Sequence, residues 1–129
     1  MNSHADSCMS DIAAPVVRQF EAYNRHDLEA FLACFSDDFR SWRIPAETPS
    51  VQGKPALVAF YAEHRFNNPK LKAELISRTV VGNKVFDHEL IHGLGEQSLE
   101  NMAVFEVREG LIQSAWFYSA NPQVSAMTK

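Results

Sequence analysis

Imidazole and phenol groups are the side chains here best suited to proton chemistry near neutral pH, and His88, His92, His64 and Tyr61 come first. Residues 84–94 alternate as a strand, so Phe86, His88, Leu90, His92 and Leu94 share one face while Val85, Asp87, Glu89, Ile91 and Gly93 share the other. Three apolar residues alongside two histidines predict that the His88 face looks into an apolar interior, with His88 as proton donor or acceptor and Tyr61 as its hydrogen-bond partner. The other reading of His88 is a core histidine satisfied by a backbone carbonyl or a tyrosine hydroxyl. His92 lies nearer the strand end, where a structural or exposed role competes with ligand contact. His64 falls on the apolar face of a helix, where packing at a pocket rim competes with catalysis.

A shared metal ion is excluded by reach: four residues at ~3.3 Å each separate the backbones of His88 and His92 by about 13 Å, too far for both rings to meet one ion. Asp87 and Glu89 cannot serve His88, because neighbours on a strand point to opposite faces. Glu100 and Glu106 become its carboxylate partners only if the strand parity is the reverse of this reading. There is no phosphate-binding glycine loop, nucleophile elbow, CxxC or HExxH, so no cofactor is expected.

These residues need elements to position them. Ile12, Val16, Phe20 and Tyr23 line one face of a first helix, with Asp11 as its cap. Asp27 caps a second helix with the stripe Leu28, Phe31, Leu32 and Phe35, and Ser36-Asp37-Asp38 is expected to turn the chain. A short strand follows over residues 39–45, with Phe39, Ser41 and Arg43 alternating against Arg40, Trp42 and Ile44. A loop over 46–53 leads to a third helix from near Pro55, stopped by Asn67-Asn68-Pro69. The second half reads as β: residues 70–81, a hairpin at Gly82-Asn83, then 84–94, 99–108 and 111–119. Three helices followed by a meander define an α+β domain, the helices on one face of a curved antiparallel sheet. Residues 1–12 read as a flexible lead, 13–119 as the single domain and 120–129 as a tail.

Composition narrows the function classes. The 129 residues suffice for one domain with its own core, and nine Phe, two Trp and three Tyr either fill that core or line an apolar cavity. A net charge of -4 with no basic cluster disfavours nucleic acid. No apolar run approaches the roughly 20 residues that span a bilayer, and residues 1–12 do not resemble a secretory signal. A cytoplasmic protein is expected, with Cys8 and Cys34 reduced and Cys34 a buried structural thiol.

In its order of elements the chain resembles the nuclear-transport-factor-2-like superfamily, and more narrowly its SnoaL-like and ketosteroid-isomerase-like bacterial members. The residues carrying this are Ala22-Tyr23-Asn24-Arg25-His26-Asp27-Leu28, Phe35-Ser36-Asp37-Asp38 and Gly53-Lys54-Pro55-Ala56-Leu57 leading to Phe60-Tyr61-Ala62. Val80-Val81-Gly82-Asn83 and Val104 through Ile112 extend the match to roughly residues 13–119. The resemblance implies a cone-shaped fold with a pocket between sheet and helices, a small apolar ligand, and a homodimer formed through the outer sheet face. It implies isomerase, cyclase, hydratase or epoxide-hydrolase chemistry in some members and non-catalytic binding or protein interaction in others.

Carried over position by position, the ketosteroid-isomerase machinery is missing. Its carboxylate base falls on Arg43, its helix tyrosine on Gln19 or Phe20, and its protonated aspartate on Ala103, leaving Tyr61 as the one match. Steroid isomerisation is therefore not expected. Trp116 and Tyr118 match positions that line the pocket in relatives, with pure core packing as the other reading; Trp42 is placed on the pocket wall or at the dimer interface, and Ala103 on the pocket lining. Arg43 either holds a ligand carboxylate or makes a surface salt bridge.

Overall fold

The computed structural model describes residues 3–120, with side chains described from residue 11 onward. Its elements are α1 (Ser3–Arg25), α2 (Leu28–Leu32), β1 (Phe35–Arg43), β2 (Val51–Gln52), α3 (Lys54–His64), β3 (Lys72–Val81), β4 (Lys84–His92), β5 (Leu99–Arg108) and β6 (Leu111–Ser119). The six strands form one sheet in the order β2-β1-β6-β5-β4-β3. The α+β architecture stands, with one refinement: β1 runs parallel to β6, so the sheet is mixed.

The first helix starts at Ser3, inside the segment expected as a lead, so Asp11 lies within it and is not its cap. The expected tail from residue 121 lies outside the described residues. Val16, Ala22 and Tyr23 are buried from this helix, and Val85, Phe105, Val107, Ile112 and Ala115 meet them from the sheet.

The α1–α2 junction fastens the helices to the sheet. His26 has φ +57, and the Asp27 N–H returns to the Ala22 carbonyl at 3.0 Å, ending α1. The Asp27 carboxylate then accepts the Ala30 N–H at 3.1 Å, capping α2 as expected. Asn24 donates to the Ala73 carbonyl at 2.9 Å and accepts the Ala73 N–H at 2.7 Å. His26 Nε2 lies 2.8 Å from the Leu71 carbonyl. Strand β3 is the sheet edge on this side, and Asn24 supplies the backbone partners a further strand would have given.

Ser36-Asp37-Asp38 does not turn the chain but lies inside β1. The turn occurs earlier, after Leu32. A register irregularity between Phe35 and Arg40 in the pairing with β6 absorbs the polar residues, and Phe35 packs on Phe39 at 4.8 Å between ring centroids. Gly82-Asn83 closes the β3–β4 hairpin, with Gly82 at φ +61. Glu109-Gly110 closes β5–β6, both residues at positive φ, as a type I′ turn requires.

Candidate functional site

A cavity of about 60 Å³ lies between the helices and the inner face of the sheet. Its wall is largely aromatic: Phe31 packs on Tyr61 at 4.6 Å and on Phe35 at 4.7 Å, and Phe105 and Phe117 close the far side. Among the described residues, three charged side chains break this wall, Arg43 from the end of β1, Arg65 from just beyond α3, and Glu89 from the middle of β4. Gln19, Tyr23, Tyr61 and Asn101 complete its polar lining.

Glu89 is 7% exposed and sits directly across the β4–β5 ladder from Asn101, whose amide donates to its carboxylate at 3.1 Å. Burial pushes the Glu89 carboxyl up to about 7; the Asn101 bond and the Arg78 charge pull it back only in part, and the neighbouring Asp87 adds to the rise. Asp87, fully buried two residues earlier, is held differently: Arg78 grips it with two bonds of 2.7 and 2.8 Å. One strand face thus carries two acids, one neutralised by a bidentate cation and the other set near the middle of the physiological range.

The two tyrosines are kept neutral. Burial raises both hydroxyls well above the ordinary phenol range, and Arg65 hydrogen-bonds the Tyr23 side chain. Arg65 is 5% exposed, its guanidinium 4.8 Å from the Phe60 ring centroid. Arg43 lies 5.3 Å from the same ring and 5.9 Å from that of Phe117. Burial lowers the Arg43 guanidinium from its ordinary value, and the Arg65 charge lowers it further. The site therefore offers a carboxyl able to take or give a proton, two phenols able to donate hydrogen bonds, and two cations.

A SnoaL-like domain model matches residues 16–115, more than half of the chain. The chain belongs to the SnoaL-like family. No curated protein matches it. Among solved structures, a Δ5-3-ketosteroid isomerase from Mycobacterium sp. superposes with a TM-score of 0.75 at 19% identity, over 88% of this chain and 95% of the other. An NTF2-like protein of unknown function from Cytophaga hutchinsonii gives 0.73 at 15% identity, over 87% and 91%. A computationally designed 17-OHP binder gives 0.73 at 18%, over 84% and 92%. At these identities the likeness shows the shared fold.

Within this SnoaL-like domain the expected site residues separate into three groups. Tyr61 lines the cavity, as do Gln19, Phe20 and Arg43 at the positions where the resemblance had looked for isomerase groups. Ala103 is fully buried in the core, across the ladders from Asp87 and Phe117, and is not on the cavity wall. The remaining residues lie elsewhere, His88 and His92 because β4 has the parity opposite to the sequence expectation: Val85, Asp87, Glu89 and Ile91 are buried, and the His88 face is turned outward. The inward acids are tolerated because Arg78 and Asn101, on the flanking strands, satisfy them.

His88 accordingly meets Glu100, with 2.7 Å between ring nitrogen and carboxylate, in a shallow cleft with Met102 and the half-exposed Tyr118. His92 lies 3.0 Å from Glu74 and 2.6 Å from Ser98. Trp42 and Trp116 stack at 5.5 Å, in a cross-strand row with Val104 and Phe86 on the outer face. His64 is exposed on α3, its ring 5.4 Å from Phe60. Cys34 is buried, its thiol donating to the Ala30 carbonyl at 3.5 Å and raised by burial. Among the described residues, no helix is long and apolar enough to cross a membrane.

Sequence reasoning missed Glu89, Asn101, Tyr23 and Arg65. One local signal existed for Glu89: Val85 and Ile91 sit at even spacing from it, an apolar frame as good as that of Phe86 and Leu90.

Proposed function

We propose that this SnoaL-like domain binds a small molecule in the cavity and moves a proton on it without a cofactor, with Glu89 in the role first considered for His88. The observation that carries this reading is the Glu89 carboxyl at about 7, held by Asn101 in an aromatic cavity. A carboxyl at that value has useful populations of both forms at neutral pH. As carboxylate it takes a proton from the carbon beside a substrate carbonyl. The C–H electron pair moves into the C–C bond and onto the carbonyl oxygen, which Tyr61 or Tyr23 meets with a hydroxyl hydrogen bond. The carboxyl then returns its own proton to a conjugated carbon, which is isomerisation, or first trades it with water and returns the solvent proton to the same carbon, which is exchange. The ligand's apolar part packs against Phe31, Phe35 and Phe117.

The test is deuterium incorporation. The protein in D₂O is expected to speed exchange of the methyl protons of pyruvamide, followed by proton NMR. Glu89→Gln should lose at least 100-fold of that acceleration, and Tyr61→Phe about tenfold. Exchange unchanged in Glu89→Gln overturns the assignment.

The small volume of the cavity favours a second reading, a non-catalytic binding or interaction module whose interior is filled by its own side chains. No acceleration by the wild-type protein, together with a ligand that binds, decides for it. In either reading a second copy of the chain covers the outer sheet face. The Trp42, Trp116, Val104 and Phe86 row supports this, flanked by the exposed Met102 and Tyr118.

A further inference from the structure

Gln19, Glu89 and Asn101 line the cavity and are each no more than 7% exposed, yet their hydrogen-bonding capacity is only partly used. The Gln19 amide donates to the Val16 carbonyl at 3.0 Å, and the Asn101 amide donates to Glu89 at 3.1 Å. Among the described residues, nothing donates to the side-chain oxygen of Gln19 or of Asn101, and the Tyr61 hydroxyl makes no hydrogen bond. None of these three oxygens is sealed in the packing, so they open on the cavity that their residues line. A buried polar atom in an aromatic setting is costly unless something satisfies it. The wall therefore presents two acceptors and a hydroxyl donor without partners. A molecule that meets all three gives two hydrogens and takes one. A carboxylate has no hydrogen to give, an ammonium takes none, and a ketone only takes. A primary amide does both, with two N–H groups on one nitrogen and a carbonyl oxygen beside them.

Volume limits the size of such a ligand. An apolar cavity of about 150 Å³ holds a benzene molecule, so the space of about 60 Å³ here suits a molecule of a few heavy atoms. We propose that the ligand of this cavity is a small neutral primary amide, its N–H groups received by the Gln19 and Asn101 side-chain oxygens and a carbonyl oxygen held by the Tyr61 hydroxyl. The inference rests on reading the cavity as a ligand site and adds the ligand class. Binding makes and breaks no covalent bond, and it leaves Glu89 free to face a carbon of the ligand.

The probes are acetamide and acetone, which have nearly the same shape and differ by an amino group in place of a methyl. Binding to the full chain is measured at pH 6 by ligand-detected NMR titration, with acetate and methylammonium as charged controls. Acetamide is expected to bind at least about fivefold more tightly than acetone, since its N–H groups find partners. A cavity without such acceptors gives the reverse order, because acetamide loses more hydration on entering it. Gln19→Met and Asn101→Leu roughly keep side-chain volume and remove one acceptor each. Each should cut the preference at least about threefold, with acetone affinity unchanged or raised. Gln19→Met touches no strand ladder, so it carries the test if Asn101→Leu does not fold. Acetone binding as tightly as acetamide, either charged control binding more tightly, no binding of acetamide, or an unchanged preference in Gln19→Met would each overturn the proposal. Deuterium exchange separates it from the proton-transfer reading: Glu89-dependent exchange into pyruvamide without an acetamide preference sinks only the ligand class. An acetamide preference with no exchange in wild type sinks only the chemistry.

Discussion

Replacing Glu89 by glutamine should make the protein more stable at pH 8 and change it by less than about 0.5 kcal/mol at pH 4.5. In the unfolded chain this carboxyl titrates near 4.5, and in the native state burial moves it to about 7. Between those values the native state holds a proton that the unfolded state has released, so stability falls as pH rises through the window. Below the lower value both states are protonated and no penalty exists; above the upper one the penalty is complete. Each tenfold change in proton affinity is worth about 1.4 kcal/mol, so ionised Glu89 costs about 3 kcal/mol at pH 8. Glutamine keeps a carbonyl oxygen for the Asn101 amide and carries no charge. The variant is therefore expected to gain about 3 kcal/mol, or about 10 °C in Tm, at pH 8. The assay is urea denaturation of both proteins from pH 4.5 to 8.5. Taking the difference between them removes every contribution that the two proteins share. Parallel curves, or a variant less stable than wild type at pH 8, would refute the claim that Glu89 is held as a neutral acid.

Two further outcomes bear on the frame around the site. Asn24→Ala leaves the Ala73 N–H and carbonyl without their partner on the sheet edge and should cost about 1–3 kcal/mol in urea denaturation; a loss under about 0.5 kcal/mol would mean that water replaces it. Light scattering at micromolar concentration should give the mass of two chains, and Trp116→Glu should give the mass of one; a monomeric wild type removes the second copy from the outer face.

The helical half of the fold was legible because its signals are local. Asp27 caps α2 through a bond three residues away, and Ile12, Val16 and Tyr23 declare a helix face by spacing alone. The later strands announce themselves through two-residue turns, and the expected limits of β5 and β6 agree with the structure. The run from Tyr23 to Asp27 carries more than a helix end. Its Asn24 and His26 reach 49 and 45 residues along the chain to dock on β3, so the motif that marks the fold also joins its helical and β halves.

The face of β4 was not legible, and the reason is physical. Each of its faces carries two apolar and two ionisable residues between Val85 and His92, and the choice between them depends on what each ionisable group meets. His88 and His92 find Glu100 and Glu74 only when turned outward. Asp87 and Glu89 are tolerated inside only because Arg78 on β3 and Asn101 on β5 stand opposite them in register. Outward acids and inward histidines would leave these same groups without those partners. A single-residue change of parity thus exchanges the chemistry that β4 offers to the cavity, from two imidazoles to a carboxyl. Arg43 shows the converse case. The alternation of Phe39, Ser41 and Arg43 already placed it on the Phe39 face, and the strand as folded keeps it there. The position where relatives' isomerase chemistry calls for a carboxylate base carries a cation, while the carboxyl enters from β4 across the cavity. That exchange of charge between two strands puts the carboxyl of this cavity on β4 and not at the end of β1.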